Sequence, residues 1–337
     1  MVTKSKRIEY IDYTKAFAIF MVIVGHSIQN LSTCNELDII YSFIYSFHMP
    51  LFMVLSGFFI TKTFHSGIIQ FLTTRSIHLL LPVLSFSIIV FLIHWLTPLD
   101  MTTGLNFFEY IFGGDMWFLK YLFACSFIAF IANKIFKKTY LAAIIPTVLL
   151  ISLSRVGIFR LLPFLWLGYY IHKYEYFVSK HIKCLLFISI TAFAFLLMFW
   201  KMEYDAPLYR IITFKHSITI SFYAFCVIIY RFLIGAFGSL FFIFLFKMIC
   251  DKNIQIKFPT LSRYIMNAGK RTLGIYCLQI YLLEDAANYL NLPQTNNYVN
   301  ILIVIAVTVF EFIVCNMLVG LLEKQRFLRL LFLGQKK

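Results

Sequence analysis

Three ionisable residues, Asp12, Lys15 and His26, lie in an otherwise apolar stretch that is long enough to span a membrane. An ionisable side chain inside a membrane helix costs roughly 3 kcal/mol on insertion scales and indicates function by default. The step from Lys15 to His26 rotates a helix by about 1100°, so the two residues share a face with Asp12 and lie about 16 Å apart along the axis. Lys15 is expected at the cytoplasmic boundary. A histidine past the midplane can exchange protons near neutral pH and act as a general base.

Each of these residues also has a structural interpretation. Lys15 can extend its ammonium group to the inner lipid headgroups, with Asp12 as its neutralising partner, and for Lys15 alone this is the simpler interpretation. His26 can hydrogen-bond to a neighbouring helix. That interpretation explains His26 less well, because Gly25 opens space beside it and Ser27 continues the polarity.

His48 lies in the middle of the next apolar run, two residues before Pro50. Proline removes a backbone donor and kinks a helix, and such interruptions often line cavities in membrane proteins. Ordinary packing of a kinked helix explains the apolar neighbours of His48 better than it explains the histidine. Ser56 and Gly57, near the end of the run, predict close helix packing.

Arg75 and His78 follow one turn apart, at the start of the third apolar run. An arginine there can hold a phosphate group in a bidentate contact. It can equally be a plain anchor of the positive-inside kind. Their position alone does not choose between the two.

Other polar residues interrupt later runs. Lys120 opens the fourth run, Arg231 lies within the eighth, and Gln279 lies inside the ninth. Arg231 is costly unless it faces polar partners. Glu311, in the last run, is a candidate counter-charge for it.

The composition places these residues in a membrane protein. Of the 337 residues, 61% are hydrophobic and only 13% charged, whereas about 25% are charged in a soluble domain. Continuous rather than alternating apolar runs favour helices over a β-barrel. The net charge of +15 is explained by Lys and Arg in cytoplasmic loops, and nucleic-acid binding is not expected. The scattered cysteines form no CxxC pair or His/Cys cluster, which predicts no metal site and no prosthetic group.

A bilayer needs roughly 20 apolar residues per helix, and ten runs approach or exceed this length. They cover about 13–31, 39–61, 77–97, 116–133, 139–154, 157–172, 183–200, 217–249, 272–290 and 298–321. The fifth and sixth are short enough to form a hairpin. In the eighth, Gly235 and Gly238 offer a hinge.

The distribution of charge predicts the orientation. With a cytoplasmic N-terminus, 20 of the 30 Lys and Arg residues lie in the inner segments between the runs and four in the outer loops, while six lie within the runs. We therefore predict an all-α integral membrane protein, a bundle of about ten transmembrane helices with both termini cytoplasmic. One membrane domain covers 1–337, and a short basic tail at about 322–337 is expected to lie on anionic lipid.

An ordered set of motifs runs through the chain. They are Lys15 and His26 with ten residues between them, FHMPLFMVLSGF (47–58), an arginine in the next inner segment, WFLKYL (117–122), LPFLWLG (162–168) and GKRTLGIYCLQIY (269–281). In this set the chain resembles the membrane-bound acyltransferase-3 family, especially its fucose 4-O-acetylase-like branch, over essentially its whole length. The resemblance implies about ten membrane helices. It also implies transfer of an acyl group, usually acetyl from cytoplasmic acetyl-CoA, to hydroxyls of cell-surface glycans or lipid-linked precursors.

The resemblance also implies roles for individual residues. His26 falls on the presumed catalytic residue of the family, and Lys15 on the basic residue before it. The family often has Arg-x-x-Arg after its second helix, where this chain has Arg75 and His78. It often has His where this chain has Gln279. The chain ends after the tenth run, so no fused extracytoplasmic domain is expected.

These observations predict a membrane O-acyltransferase of the bacterial cytoplasmic membrane, multi-pass, with acetyl-CoA as the donor substrate. His26 is the predicted general base, Asp12 orients Lys15, and the donor phosphates lie near Lys15, Arg75 and His78. The candidate oxyanion or acceptor contacts are His48, Lys120, Arg231 and Gln279. The predicted partners are the lipid bilayer and a glycan or lipid-linked glycan.

Two other classes of protein share some of these features. A transporter or flippase for a lipid-linked sugar or acyl group also accommodates intramembrane charge, although the sequence has no internal repeat. A glycan polymerase fits less well because the outer loops are short. The acceptor sugar, the choice between acetyl and succinyl, the membrane face of transfer, direct transfer against an acyl-enzyme, and the oligomeric state stay open.

Overall fold

The computed structural model describes residues 8–32, 35–96, 116–136, 138–153, 160–205, 211–214, 218–252, 257–290 and 297–336. Regular structure within these ranges is helical apart from one short hairpin. The predicted all-α fold class is confirmed.

The helices follow the chain in this order: α1 (Glu9–Leu31), α2 (Asn35–Gly57), α3 (Thr61–Phe64), α4 (Ile68–Arg75), α5 (Leu81–Leu96), α6 (Trp117–Ile135), α7 (Thr139–Leu153), α8 (Leu162–Lys173), α9 (Glu175–Lys180), α10 (Ile182–Leu197), α11 (Phe222–Asp251), α12 (Pro259–Lys270), α13 (Thr272–Leu290), α14 (Asn297–Leu322) and α15 (Arg326–Leu333). A π-helical turn over Ser76–Leu80 joins α4 to α5. A 3-10 turn over Met202–Asp205 follows α10.

The hairpin consists of β1 (Ile212–Phe214) and β2 (Ile218–Ile220), which pair antiparallel with Ile212 opposite Ile220. The eighth apolar run was predicted to start at residue 217. Residue 217 lies outside the described residues. Among those described, the β-branched residues before Ser221 favour a strand, and α11 begins at Phe222.

Six helical stretches of the described residues are long and apolar enough to cross a membrane: Glu9–Leu31, Leu37–Gly57, Ile68–Leu92, Trp117–Ile135, Phe222–Asp251 and Asn297–Leu322. Three shorter apolar helices, Thr139–Ser152, Ile182–Leu197 and Thr272–Leu282, fall in three further predicted runs. The remaining run contains α8. The chain is therefore an α-helical membrane protein. The third run was predicted to begin at residue 77 but begins at Ile68, because the π turn continues α4 into α5 instead of separating them.

The described helices form two compact units. The first is drawn from residues 1–22, 42–59 and 147–272, and the second from residues 23–41, 60–146 and 273–337. α1 contributes to both, since its residues up to Val22 belong to the first unit and those from Ile23 to the second.

In the first unit, α2 and α8 approach each other at two glycines. A Cβ atom on Gly57 would lie 1.9 Å from the carbonyl oxygen of Leu165, and one on Gly168 would lie 1.9 Å from that of Val54. Small residues are what allow membrane helices to bring their backbones this close. The close packing predicted at Ser56 and Gly57 is confirmed.

α11 packs against α2 in the same unit. α11 runs unbroken over its 30 residues, so the hinge predicted at Gly235 and Gly238 is wrong. A Cβ atom on Gly235 would lie 2.8 Å from the ring of Pro50, and one on Gly238 would lie 2.7 Å from Phe47. The two glycines make room for α2 and its proline.

In the second unit, α15 turns back onto α5. The rings of Phe332 and Phe86 lie 5.1 Å apart, and Leu333 is buried. α6 packs against the π turn, and the Phe71 and Phe130 rings stack at 4.4 Å. The last turn of the basic tail is thus held by protein contacts.

Candidate active site

α1 carries the three ionisable residues from which the site was predicted. The helix is continuous over 23 residues, so the spacing from Lys15 to His26 is a helical one, about 16 Å along the axis. Asp12 is 6% exposed, whereas Lys15 and His26 are half-buried. Asp12 and Lys15 belong to the first unit and His26 to the second.

Lys15 lies against an aromatic side chain. Its ammonium nitrogen is 4.9 Å from the ring centroid of Phe59, which is within the range of a cation–π interaction. Nearby, α12 packs directly on the first turns of α1, since a Cβ atom on Gly269 would lie 1.9 Å from the carbonyl oxygen of Asp12. Lys15 is therefore positioned by protein contacts as well as by its depth in the helix.

Lys247 is a second cation at this end of α1 that the sequence analysis did not single out. It is 7% exposed, and its ammonium nitrogen lies 4.6 Å from the ring centroid of Tyr10. The Tyr10 hydroxyl donates to Glu175 Oε1 at 3.4 Å, and Tyr13 and Ser262 are hydrogen-bonded through their hydroxyl groups. The sequence does contain a signal for Lys247, since apolar residues flank it on both sides. These residues indicate that the helix continues past Lys247, and α11 does continue for another turn.

His48 is buried in the first unit. Its Nδ1 atom lies 2.8 Å from the carbonyl oxygen of Ile44, and its ring packs edge-on against Tyr45 at 4.7 Å. Only a protonated Nδ1 can donate to a carbonyl, so in the neutral ring Nε2 is the acceptor. This geometry suits His48 to accept a proton from a hydroxyl better than to donate one to an oxyanion.

Arg231 is half-buried in the first unit, and Lys120 is half-buried in the second unit. Each interacts with other residues of the protein. Glu311, the candidate counter-charge for Arg231, is 5% exposed, and neither of its carboxylate oxygens has a hydrogen-bond partner among the described residues. The pairing of Arg231 with Glu311 stays a prediction, since the two residues belong to different units.

The second unit contains His26 and two other polar groups with open hydrogen-bonding capacity. The imidazole of His26 forms no hydrogen bond and no ion pair in the part of the chain that the structure describes. The Ser27 hydroxyl and the Gln279 side-chain amide are fully buried, also without partners in the described ranges. Buried polar groups normally have partners. Unpaired groups of this kind suit a site that a substrate completes.

Arg75 and His78 come together at the π turn of the second unit. Arg75 is the last residue of α4 and half-buried, and His78 is exposed. Arg75 is among the charged groups that act on His78, and no carboxylate of the described residues acts on either. An arginine fork beside a histidine, with no acid of the described residues next to them, is suited to bind an anion.

The predicted residues are thus divided between the two units. Asp12, Lys15, His48 and Arg231 lie in the first, and His26, Arg75, His78, Lys120 and Gln279 in the second. No group of three or more His, Cys, Asp or Glu residues that could hold a metal occurs within the described ranges. A histidine with no hydrogen bond among the described residues and an arginine beside a second histidine are suited to transfer from a phosphate-bearing donor.

Comparison with known proteins identifies the family of the chain. Residues 8–319 match the Acyl_transf_3 family, described as an acyltransferase domain. "Nodulation protein NolL" of Sinorhizobium fredii (strain NBRC 101917 / NGR234) is 30% identical over 171 residues, which is 47% of this chain and 47% of that protein. The match thus spans about half the length of the relative, and no solved structure matches the chain. Because the family match covers nearly the whole sequence, the chain belongs to the Acyl_transf_3 family, whose domain is described as an acyltransferase domain.

Proposed function

We propose that the protein is an O-acetyltransferase that moves an acetyl group from cytoplasmic acetyl-CoA to a hydroxyl of a cell-surface polysaccharide or its lipid-linked precursor. The donor binds from the cytoplasmic side, with its phosphates near Lys15, Arg75 and His78. The acceptor hydroxyl meets the thioester beside His26. The enzyme lies in the bacterial cytoplasmic membrane, in the fucose 4-O-acetylase-like branch of the family.

In the proposed reaction, His26 takes the proton of the acceptor hydroxyl while the oxygen attacks the thioester carbonyl. A new C–O bond forms, and the tetrahedral intermediate then breaks its C–S bond. The imidazolium of His26 returns the proton to the departing CoA sulfur. The products are the acetyl ester and CoA thiol, and the histidine is regenerated. Lys120, Arg231 or Gln279 would stabilise the oxyanion, whereas His48 is better suited to contact the acceptor hydroxyl.

The observation that carries this proposal is the state of His26. It is half-buried on a membrane helix and has no hydrogen-bond partner among the described residues. Histidines that serve only to hold helices together are expected to bond a neighbouring helix. Within the described ranges the imidazole is instead open to a substrate, and the adjacent Ser27 hydroxyl is buried without a partner there.

The test is His26→Gln in the full-length protein reconstituted in lipid. The glutamine keeps hydrogen-bonding capacity but cannot act as a base. We expect the rate of CoA thiol release in the presence of the acceptor glycan to fall by about 10²- to 10⁴-fold, with unchanged membrane insertion. Mass spectrometry of the glycan records the acetyl ester.

His181→Gln is the matched control. His181 is exposed in the turn between α9 and α10, and its replacement should leave the rate unchanged. Wild-type rates of glycan acetylation by the His26 variant would exclude His26 as the base. A wild-type protein that consumes no acetyl-CoA with any glycan fraction would exclude acetyl-CoA as the donor.

A further inference from the structure

The last described residues of the chain fold back onto the π turn. α15 ends at Leu333 and is capped by Gly334, which has a left-handed backbone with φ 62°. The N–H of Gly334 donates to the carbonyl oxygen of Leu330 at 3.0 Å. Glycine is the residue that adopts this conformation without strain. The chain direction after α15 is therefore set by the backbone.

Gly334 also lies directly on the π turn. A Cβ atom there would be 2.4 Å from the carbonyl oxygen of Ile77 and 2.7 Å from the Cα atom of His78. Both the conformation and the contact exclude a side chain at this position.

This docking brings a lysine to the Arg75 and His78 pair described above. Lys336, two residues after the cap, lies close enough for its charge to act on His78, as does Arg75. We call Arg75, His78 and Lys336 the tail cluster. Arg329, one turn before the cap, adds a buried Nε atom with no hydrogen-bond partner among the described residues.

No carboxylate within the described ranges acts on Arg75 or His78. The positive charges of Arg75 and Lys336 both attract a nearby anion. A phosphate group has the charge and the acceptor oxygens to contact an arginine fork and a lysine ammonium group at once. The tail cluster is therefore suited to a phosphate ligand.

We propose that the chain after α15 completes a phosphate-binding site with Arg75 and His78, so that Lys336 is a donor-binding residue of the enzyme. This inference rests on the proposed function in naming the phosphates of the acyl donor as the ligand. The other source of the same chemistry is the phosphate of a lipid headgroup. In this proposal, docking of α15 positions Lys336 for phosphate binding. Phe332 and Leu333 pack the helix in place, and Gly334 sets the direction of the chain that leads to Lys336.

The test compares Lys336→Gln with wild type in nanodiscs, using acetyl-CoA and acetyl-3′-dephospho-CoA as donors. Lys336 is exposed, so a three- to tenfold rise in KM for acetyl-CoA is expected, on the order of the worth of one solvent-exposed charge contact. The value of kcat should not change. The rise should be smaller for the donor without the 3′-phosphate.

Gly334→Ala is the second variant. It keeps every charge, but its Cβ atom disfavours the left-handed cap and collides with the carbonyl oxygen of Ile77. It should therefore raise KM for acetyl-CoA in the same way. Lys324→Gln is the matched control, because Lys324 is an exposed cation just before α15. Its KM should equal that of wild type.

The outcomes separate the sources of phosphate. A KM effect specific to the phosphorylated donor supports the donor site. An effect that occurs only in nanodiscs with anionic lipid, and equally with both donors, supports a phosphate site occupied by a headgroup and overturns the donor assignment. Wild-type KM values for both variants overturn the phosphate site. An inactive wild type would instead contradict the proposed function, which distinguishes the two failures.

Discussion

Two ionisable side chains of the second unit differ in what surrounds them. His26 is half-buried and suited to meet a substrate. Glu311 is 5% exposed, and both of its oxygens lack partners among the described residues. A buried polar group without a partner costs about 1–3 kcal/mol. At the scale of the single residue, Glu311 therefore lowers the stability of the fold, whereas His26 is a candidate for the proposed reaction.

The prediction is that Glu311→Met stabilises the protein. Methionine has a similar length and removes two unsatisfied oxygens, so the midpoint of thermal denaturation in detergent should rise by a few degrees. The control lies on the same buried face of α14. Asn300 donates to the carbonyl oxygen of Leu31 at 3.0 Å, and Asn300→Leu should lower the midpoint because it leaves that carbonyl unpaired. A lower midpoint for Glu311→Met would show that the carboxylate has a stabilising partner.

At the scale of the element, glycines determine how α2 approaches its neighbours. The hypothetical Cβ atoms of Gly57 and Gly168 meet the backbone of the opposite helix, and a backbone atom cannot move aside as a side chain can. The contacts of Gly235 and Gly238 are with side chains of α2 and α10. The junction of α2 and α8 is therefore the more rigid of the two contacts.

Gly168→Ala should consequently destabilise the protein strongly. Its Cβ atom has no room beside Val54, and overpacking costs roughly 1–3 kcal/mol or more. A lower midpoint of thermal denaturation and faster loss of activity on heating are expected. Gly67→Ala is the control, since nothing lies within 4 Å of the added atom. Equal midpoints for the two variants would contradict the close contact.

At the scale of the whole molecule, the excess of Lys and Arg in alternate loops predicts a cytoplasmic N-terminus. Two exposed residues of the first unit test this orientation. Ser179 in α9 falls in a predicted inner segment, and Glu203 in the 3-10 turn falls in a predicted outer loop.

In a cysteine-free background, a membrane-impermeant maleimide should label Glu203→Cys in intact cells. It should label Ser179→Cys only after the cells are permeabilised. Permeabilised cells expressing either variant give the full labelling for comparison. The reverse pattern would invert the topology and move the Arg75 end of the molecule away from cytoplasmic acetyl-CoA.

The ten apolar runs could be predicted because their length and hydropathy are local properties of the sequence. The predicted range 272–290 has the bounds of α13. The β-hairpin was missed because it interrupts a run that is apolar throughout. The π turn was missed because an extra residue in a helix has no compositional signal.

The contacts around the site depend on residues distant in sequence, which explains why they could not be predicted. The role of Lys247 follows from Tyr10, and the tail cluster follows from Gly334 meeting Ile77. The residue types and their order could be predicted from the motifs. That His26 has no partner among the described residues, and that Lys336 lies near His78, could be learned only from the structure.

The π turn at Ser76–Leu80 has one more consequence. In a regular α-helix, Phe71 and Leu79 would point about 80° apart around the axis. Both are buried, and the wider turn between them brings them towards one side. The turn therefore works as a phase correction within a single rod. Loss of one residue there would rotate α4 against α5 by roughly 100°, so a gap at this place in an alignment of relatives would mark a change of buried face and not a shorter loop.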